Sequence, residues 1–310
     1  MGRPAHPPEA EAGPFYYGGQ AVLEGVMIRG RRLVAVAVRR PRGDIALRVE
    51  TLGGVYSARL RRIPLLRGLI VLWETLALGT RALIFSSNVA LEEEEGEVSG
   101  PMLWVTVGVA LAFVIALIFV GPVLATGLLD DAIGNERWAA LVEGVIRLAV
   151  LLGYLGLIGL LPDIRRVFAY HGAEHKAINA LEHGAPLEVA AVQPYSTAHP
   201  RCGTSFLLVV VVISVALFVL VGSPPLWLRL LSRVGLVPVI AALSYELIRL
   251  GGAFQGNRVV RAIFAPNLWL QSLTTRQPDD SQVEVALHAL RQALAGDAGA
   301  PEPEPASGEP

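Results

Sequence analysis

The residues best suited to chemistry stand together as His171-Gly172-Ala173-Glu174-His175. On a helix, this H-x-x-E-H spacing places the two histidines one turn apart, with Glu174 beside them. Neutral imidazoles are common ligands of Zn²⁺, and a neighbouring carboxylate can accept a proton from a water molecule that the metal activates. The motif therefore predicts a zinc site in which His171 and His175 are ligands and Glu174 is the general base of a hydrolase.

Three further residues could supply the third protein ligand that a catalytic zinc ion needs. Glu246 is the first choice, because it lies near the end of a predicted transmembrane helix, although a salt bridge to Arg249 is an alternative role for it. His199 and Cys202 are both of ligand type and are three residues apart. The alternative for this pair is a tight loop in which Cys202 packs at the bilayer edge while Arg201 binds a lipid phosphate.

Two polar residues, Asn179 and Glu182, continue the face of the same helix and are additional candidates for the site. The helix is expected to begin at Pro162-Asp163, because proline and an acidic residue favour the first turn. It is expected to end near His183, with Gly184 as its C-terminal cap. A short motif of this kind also arises by chance, so a metal-binding or purely structural cluster is the alternative to a catalytic one.

Composition indicates an integral membrane protein. Of 310 residues, 53% are hydrophobic and 17% are charged, whereas soluble proteins carry about 25% charged residues. A net charge of −1 gives no basic surface for nucleic acid. The single cysteine excludes an internal disulfide and fits a reducing compartment. The first twenty residues lack the apolar core of a signal peptide, so insertion through internal segments is expected.

The predicted fold is a mainly α membrane protein with about four transmembrane helices in two hairpins. The four predicted spans are 101–129 and 138–161 in the first hairpin, and 206–221 and 226–250 in the second. Residues 65–88 are also apolar, but Arg67, Glu74 and Arg81 recur every seven residues and would form a polar stripe. This segment is therefore predicted to be an amphipathic helix at the membrane surface or under the bundle, with a true span as the alternative.

The loop charges predict the orientation in the cell membrane. The connection between the two hairpins and the segment after the last span are basic, whereas the turn of the first hairpin is acidic. By the positive-inside rule, both termini and the central loop are expected in the cytosol. A fifth span at 65–88 would place the basic N-terminal region and the basic central loop on opposite sides. Arg229 and Arg233, near the second outer turn, are interpreted as side chains that snorkel to the interface.

Two smaller elements are predicted at the ends of the chain. Near the N-terminus, the β-prone runs 21–28, 33–38 and 44–52 predict a small cytosolic antiparallel meander. Near the C-terminus, Ser281 and Glu284 form a capping-box pattern that predicts an amphipathic helix over 281–294.

The predicted organisation divides the chain into eight segments. These are a disordered segment 1–14, a β-rich domain 15–60, the interfacial helix and acidic loop 61–100, the first hairpin 101–162, the cytosolic helix and loop with both motifs 163–205, the second hairpin 206–250, the cytosolic C-terminal segment 251–295 and a disordered tail 296–310.

Four separated motifs resemble the YqhQ-like family of bacterial integral membrane proteins. They are GGQAVLEGVM at 18–27, YHGAEHK at 170–176, HPRCGT at 199–204 and TTRQPDD at 274–280. The resemblance covers about residues 15–294. The family is a domain of unknown function catalogued as a predicted metal-dependent enzyme, so the resemblance implies a metal site and adds Gln20 and Glu24 as residues that could reach it.

Three functions are compatible with these features. The first is a metal-dependent hydrolase that cleaves an amide or ester of a small-molecule or peptide substrate at the cytosolic membrane face. The second is a non-enzymatic scaffold or regulator of other membrane proteins, in which the cytosolic segments are docking surfaces. The third is a transporter, suggested by Glu143 and Arg147 inside the second predicted span. In each case the lipid bilayer is the expected environment.

Overall fold

A computed structural model describes residues 15–52, 63–91, 100–222, 224–254 and 257–299. Within these ranges the protein is mostly helical, with one small four-stranded antiparallel sheet near the N-terminus. This confirms the predicted fold class. The predicted disordered segment 1–14 and residues 300–310 of the predicted tail lie outside the described residues.

The sheet is a meander with the strand order β1-β2-β3-β4. Its strands are β1 (Gly18–Val22), β2 (Gly25–Arg29), β3 (Leu33–Arg39) and β4 (Ile45–Thr51). The single run predicted over 21–28 was wrong in one respect, because the chain turns at Leu23-Glu24 and divides it between two strands. Glu24 adopts a φ of 53°, which an ordinary side chain rarely does, so the local sequence gives no signal for this turn.

The sheet is the middle of three layers. Because strand residues alternate between faces, Val26 and Ile28 pack on one side and Val22 and Met27 on the other. The first face is covered by α6 (Pro162–Glu182) and α12 (Asp280–Asp297), whose buried residues join the same core. The second face is covered by α1 (Leu66–Ala90). Three segments far apart in sequence therefore fold into one domain.

The helix α12 begins one residue before Ser281, so the predicted cap was misplaced. Asp279 is the N-cap: its carboxylate accepts the Gln282 N–H, and the Gln282 side chain accepts the Asp279 N–H. A carboxylate also suits the positive end of the helix dipole. The helix continues to Asp297, inside the predicted tail, because the Asp297 carboxylate accepts a hydrogen bond from the Tyr17 hydroxyl at 2.8 Å.

The short helix α7 (Val189–Val192) also belongs to this domain, because Val192 is buried in the same core. The other helices form an apolar bundle beside the domain. They are α2 (Gly100–Ile115), a π-helical turn (Ala116–Val120), α3 (Gly121–Gly127), α4 (Asp130–Ile133), α5 (Glu136–Ile158), α8 (Ser205–Val221), α9 (Leu226–Gly235), α10 (Val237–Ala253) and α11 (Arg258–Thr274). Trp104–Gly127 and Glu136–Ile158 are long and apolar enough to cross a membrane, as is α1 by the same criterion. The helices α9 and α10, which are bent by 44° relative to each other, are together long and apolar enough to form a fourth span. The helix α8 is apolar but shorter.

The packing of the domain limits how these helices can cross. The sheet, α6 and α12 share one core, so they lie on the same side of any membrane. The chain must therefore cross an even number of times between β4 and α6, and α1, α2–α3 and α5 cannot all be spans. Part of α1 contacts the sheet through Leu78, Ala82 and Val89. This packing supports the predicted position of α1 under the bundle, which stays a prediction.

The π-helical turn has a local cause in Pro122. Proline has no N–H to donate to the carbonyl oxygen four residues earlier, which is that of Ile118. A buried carbonyl oxygen needs another donor, and the Nε of Arg147 on α5 donates to it at 2.9 Å. The irregular turn and the buried arginine therefore satisfy each other.

Arg147 belongs to a charged cluster inside the bundle, which we call the Glu143 cluster: Glu143, Arg147, Arg229 and Arg233. The Glu143 carboxylate accepts hydrogen bonds from Arg147 Nη2 at 2.7 Å, Arg229 Nη2 at 3.1 Å and Arg233 Nε at 3.2 Å. All four side chains are at most 2% exposed. The prediction that Arg229 and Arg233 snorkel to the interface was wrong, because α9 turns them inward to a shared carboxylate.

We predict that Glu143→Gln strongly destabilises the protein, because it removes the negative charge that several buried guanidinium groups share. Breaking a buried ion pair from one side typically costs about 3–5 kcal/mol. The measurement is the midpoint of heat unfolding of the purified protein in detergent. The matched control is Glu246→Gln, which changes a partly exposed ion pair with Arg67 and is expected to lower the midpoint far less. Equal midpoints for the two variants would contradict the expectation.

Candidate metal centre

The helix α6 carries the H-x-x-E-H residues, as the sequence predicts. It begins at Pro162, has Asp163 in its first turn and ends at Glu182, followed by Gly184 with a φ of 67°. The spacing of four residues brings the rings of His171 and His175 together, with 4.4 Å between their centroids. Both imidazoles therefore lie on the same face of α6.

Backbone carbonyl groups orient both imidazoles. His171 Nδ1 lies 2.9 Å from the Thr274 oxygen, and His175 Nδ1 lies 2.6 Å from the Thr197 oxygen. A carbonyl oxygen only accepts, so each Nδ1 carries the hydrogen and, in the neutral ring, each Nε2 keeps its lone pair. Histidine ligands of metals are commonly oriented in this way. The two rings are thus prepared to bind through Nε2.

Cys202 supplies a third ligand atom. Its Sγ lies 3.2 Å from His171 Nε2, and the ligand atoms of His171, His175 and Cys202 are all within 4.8 Å of one another. The Thr204 N–H and hydroxyl lie 3.4 Å and 3.1 Å from this sulfur, so both can donate to a thiolate. His171 and Cys202 are half-buried whereas His175 is buried, so the cluster can be reached from one side.

Glu174 lies buried beside the cluster. Its Oε2 is 3.5 Å from His175 Nε2, and it accepts a hydrogen bond from the Gly19 N–H of β1. Burial raises the pKa of the Glu174 carboxyl to about 7, although electrostatic interaction with His171 and the Gly19 hydrogen bond act in the opposite direction. A carboxyl group in this range can both accept and release a proton near neutral pH.

One of the separations between the three ligand atoms is compatible with a shared metal ion such as zinc. Zinc binds histidine nitrogen at 2.0–2.1 Å and thiolate sulfur at 2.3 Å, which in a tetrahedral site separates the two atoms by about 3.5 Å. The observed separation of 3.2 Å between His171 Nε2 and Cys202 Sγ is close to this value. A tetrahedral ion held by two histidines and one cysteine would keep one position for water or substrate.

His199 lies next to this cluster but outside it. Its ring centroid is 5.8 Å from that of His175, and its Nε2 is 3.3 Å from a Glu182 oxygen. Its backbone is held by Gln271, which accepts from the His199 N–H at 2.9 Å and donates to the His199 oxygen at 2.8 Å. Burial lowers the pKa of His199 to about 4, and the neighbouring His175 adds to this effect.

Glu246, the candidate third ligand from the second hairpin, is not among the three clustered ligands. Its carboxylate forms a bidentate ion pair with Arg67 of α1 and accepts the Leu65 N–H at 3.1 Å. The alternative foreseen for Glu246, an ion pair, is therefore what the structure contains, although its partner is Arg67 and not Arg249.

The additional candidates have supporting positions. Asn179 donates to the carbonyl oxygens of Ser196 and Ala198, at 2.9 Å and 3.1 Å, and thereby holds the loop that carries Thr197. Glu182 pairs with Arg201, in the same loop.

The N-terminal candidates belong to the packing of β1. Glu24 pairs with Arg166 and lies 3.3 Å from the Tyr170 hydroxyl, so it holds the turn after β1 against α6. The Gln20 side chain packs on Gly79 of α1, which is the opposite face of the sheet from α6. In place of these two, the residue of β1 that reaches Glu174 is Gly19, through its backbone.

Three contributors were not singled out by sequence: Thr197, Thr274 and Gly19. Each acts through a backbone group, so its side chain carries no signal. Their positions adjoin or fall within the motifs at 18–27, 199–204 and 274–280, which is the indirect sign that these segments meet.

The fold and the site together define a membrane-associated helical protein with a small mixed domain that holds a His-His-Cys cluster. The sequence matches the family described as "Protein of unknown function (DUF1385)" over residues 63–296. It is also 36% identical over 297 residues to a protein of Bacillus subtilis (strain 168) described as "Uncharacterized protein YqhQ", covering 91% of this chain and 93% of that protein. The chain therefore belongs to the DUF1385 family of YqhQ-like proteins. No solved structure matches it.

We predict that Gly172→Ala destabilises the domain, because the α6 backbone approaches a neighbouring segment closely at this point. An added Cβ would lie 2.1 Å from the Arg276 carbonyl oxygen and 3.2 Å from Thr197 Cγ2. Overpacking of this kind costs about 1–3 kcal/mol. Gly203→Ala is the matched control, since its Cβ would enter open space. The heat-unfolding midpoint should fall for Gly172→Ala alone, and an unchanged midpoint would show that residue 276 is not held against α6.

Proposed function

We propose that this protein is a zinc-dependent hydrolase of the cell membrane whose active site lies at the cytosolic face. The observation that carries the proposal is the convergence of His171, His175 and Cys202 next to a buried carboxylate, Glu174. Both histidines are oriented by backbone carbonyl groups, as ligands of a resident metal commonly are.

Each residue has a distinct role in this reaction. His171, His175 and Cys202 would hold the zinc ion, which would supply a Lewis acid for water and the substrate carbonyl. Glu174 accepts a proton as water attacks the carbonyl carbon. Glu174 then delivers that proton to the leaving amine or alcohol as the bond to the carbonyl carbon breaks. The Gly19 N–H, Thr197 and Thr274 hold these groups in place.

The cytosolic location rests on charge and packing together. The shared core of the sheet, α6 and α12 supports a location of the site and of both ends of the described chain on one side of the bilayer. The basic residues Arg165, Arg166 and Arg201 belong to this domain, and the positive-inside rule favours the cytosol for such segments. Both termini of a multi-pass protein are then cytosolic.

A non-enzymatic role is the second candidate, and one observation favours it. The cluster and its carbonyl partners join α6, the loop at 197–202 and the end of α11. A metal ion there would also clamp the domain onto the bundle, as structural zinc sites do. The protein would then be a scaffold or regulator of other membrane proteins.

We predict that the purified protein binds one zinc ion per chain and that the His171→Ala, His175→Ala double variant does not. His183→Ala is the matched control, because His183 directly follows the same helix, its imidazole is hydrogen-bonded to the Asn179 oxygen, and it is not one of the three clustered ligands. Metal content by mass spectrometry gives the stoichiometry. Replacement by Co²⁺ tests the third ligand, since a cobalt–thiolate absorption band should be absent in Cys202→Ser. Folded wild-type protein that stays metal-free with added zinc would refute the site.

We predict that Glu174→Gln keeps zinc but loses hydrolysis. Glutamine has nearly the same shape and can still accept the Gly19 hydrogen bond, whereas it cannot accept the proton of water. A fall of about 10²–10⁴-fold in kcat is expected for loss of a general base. The assay is release of a fluorescent group from ester and amide substrates by zinc-loaded protein. Equal zinc content with unchanged rates would assign the cluster to the structural role.

A further inference from the structure

The outer strand β1 has an unpaired edge directly beside the candidate metal centre. The strand order places β1 at one side of the sheet, where it pairs with β2 alone. The Gly19 N–H points away from β2, because it donates to the Glu174 carboxylate. Backbone groups of every second residue share a direction in an antiparallel strand, so those of Ala21 point to the same outer edge.

This edge is accessible. Gly18 and Gly19 are exposed, and neither has a side chain that could block an approaching chain. Within the described ranges, no backbone group outside β2 is hydrogen-bonded to β1. Glycine inside a strand often marks a place where another backbone comes close. Since the Gly19 N–H is bonded to Glu174, this edge offers the Ala21 N–H and the Gly19 and Ala21 carbonyl oxygens to another extended backbone.

The outer edge of β1 runs beside α6, which carries the candidate metal ligands His171 and His175. Residues of β1 and α6 meet in opposite order: Glu24 pairs with Arg166 near the start of α6, whereas Gly19 contacts Glu174 two turns further on. The chain just before β1 then reaches the end of α6 and its loop, where the Arg201 guanidinium lies 4.0 Å from the Tyr16 ring centroid. Glu174, whose carboxylate lies 3.5 Å from His175 of the cluster, is thus between the two ends of this line.

A cavity lies at the N-terminal end of β1. It has a volume of about 400 Å³ and is lined by Phe15, Tyr16, Tyr17, Leu181, Glu182 and Arg201. Aromatic and aliphatic walls suit an apolar side chain. The Nε of Arg201 is buried and has no hydrogen-bond partner among the described residues, so it is a donor that a carbonyl oxygen of a ligand could accept.

We propose that the substrate of this centre is an extended peptide segment that adds a fifth strand to the outer edge of β1. This inference rests on the proposed function and names its substrate class. The peptide backbone accepts from the Ala21 N–H and donates to the Gly19 carbonyl oxygen, while the Gly19 N–H stays bonded to Glu174. This pairing brings one of the peptide carbonyl groups to the His171, His175 and Cys202 cluster. An apolar or aromatic side chain of the peptide enters the cavity at Tyr16 and Arg201. Strand addition of this kind gives affinity through the main chain and selectivity through pockets.

The test measures peptide binding separately from cleavage. The protein is the full chain in lipid nanodiscs, zinc-loaded and carrying Glu174→Gln so that the probe persists. The probe is a fluorescent dodecapeptide mixture with one fixed phenylalanine and otherwise random residues, followed by fluorescence anisotropy. Ala21→Pro removes one outward N–H while leaving the β1–β2 bonds in place, and Gly18→Ala, whose Cβ meets open space, is the matched control.

We expect Ala21→Pro to weaken peptide binding about tenfold, the loss that corresponds to one hydrogen bond, and Gly18→Ala to leave it unchanged. Hydrogen exchange of the unsubstituted β1 segment gives a second readout that needs no variant: the Ala21 amide should become protected when peptide is added. Equal affinities for the two variants without peptide-induced protection would overturn the inference. Protection that depends on protein concentration would also overturn it, because a second copy would then cover the edge.

The outcomes separate this inference from the proposed function. Zinc-dependent cleavage of small esters without peptide binding would leave the hydrolase standing and refute the peptide substrate. Peptide binding at β1 in a protein that holds no zinc would refute the hydrolase and leave the strand edge as a peptide-binding surface.

Discussion

The contact between β1 and α6 is the interaction on which the rest of the structure depends. It joins residues 142 positions apart in the chain, as the pair of Glu24 and Arg166 shows. On one side of α6, Gly19 contacts Glu174, and on the other, the missing side chain of Gly172 lets the Arg276 backbone approach. The helix is therefore held from both sides, so its two histidines are positioned by the fold and need not be ordered by a ligand.

The apolar bundle also contains polar groups that must be held in place, in this case buried charges. Buried charges are costly unless their hydrogen bonds are satisfied, and the Glu143 carboxylate is where Arg147 and Arg233 meet that requirement. Arg147 also donates to the Ile118 carbonyl oxygen, which Pro122 leaves without a backbone donor. Since α5 leads into α6 after three residues, one continuous stretch of chain links this cluster to the domain that carries the histidines.

Local signals explain which features could be predicted from the sequence. The helix α6 has its start and stop residues within itself, and the apolar helices are long enough to stand out. The third ligand beside His171 and His175 could not be chosen from local signals. Cys202 comes close to them only because its loop folds back onto α6, and Glu246 is instead paired with Arg67 of α1. The turn at Leu23-Glu24 also escaped, because neither residue type favours a positive φ. Non-local packing decides each of these.

The shortness of α8 links the bilayer to the site. Its 17 residues correspond to about 25 Å, whereas the hydrocarbon core is about 30 Å thick. A helix that is too short for its membrane is accommodated by local thinning or by a shift of the helix ends. Cys202 lies three residues before α8 begins, so such a shift would move its sulfur relative to the histidines of α6. If α8 crosses the bilayer, membrane thickness would act as a mechanical variable on the position of the Cys202 sulfur.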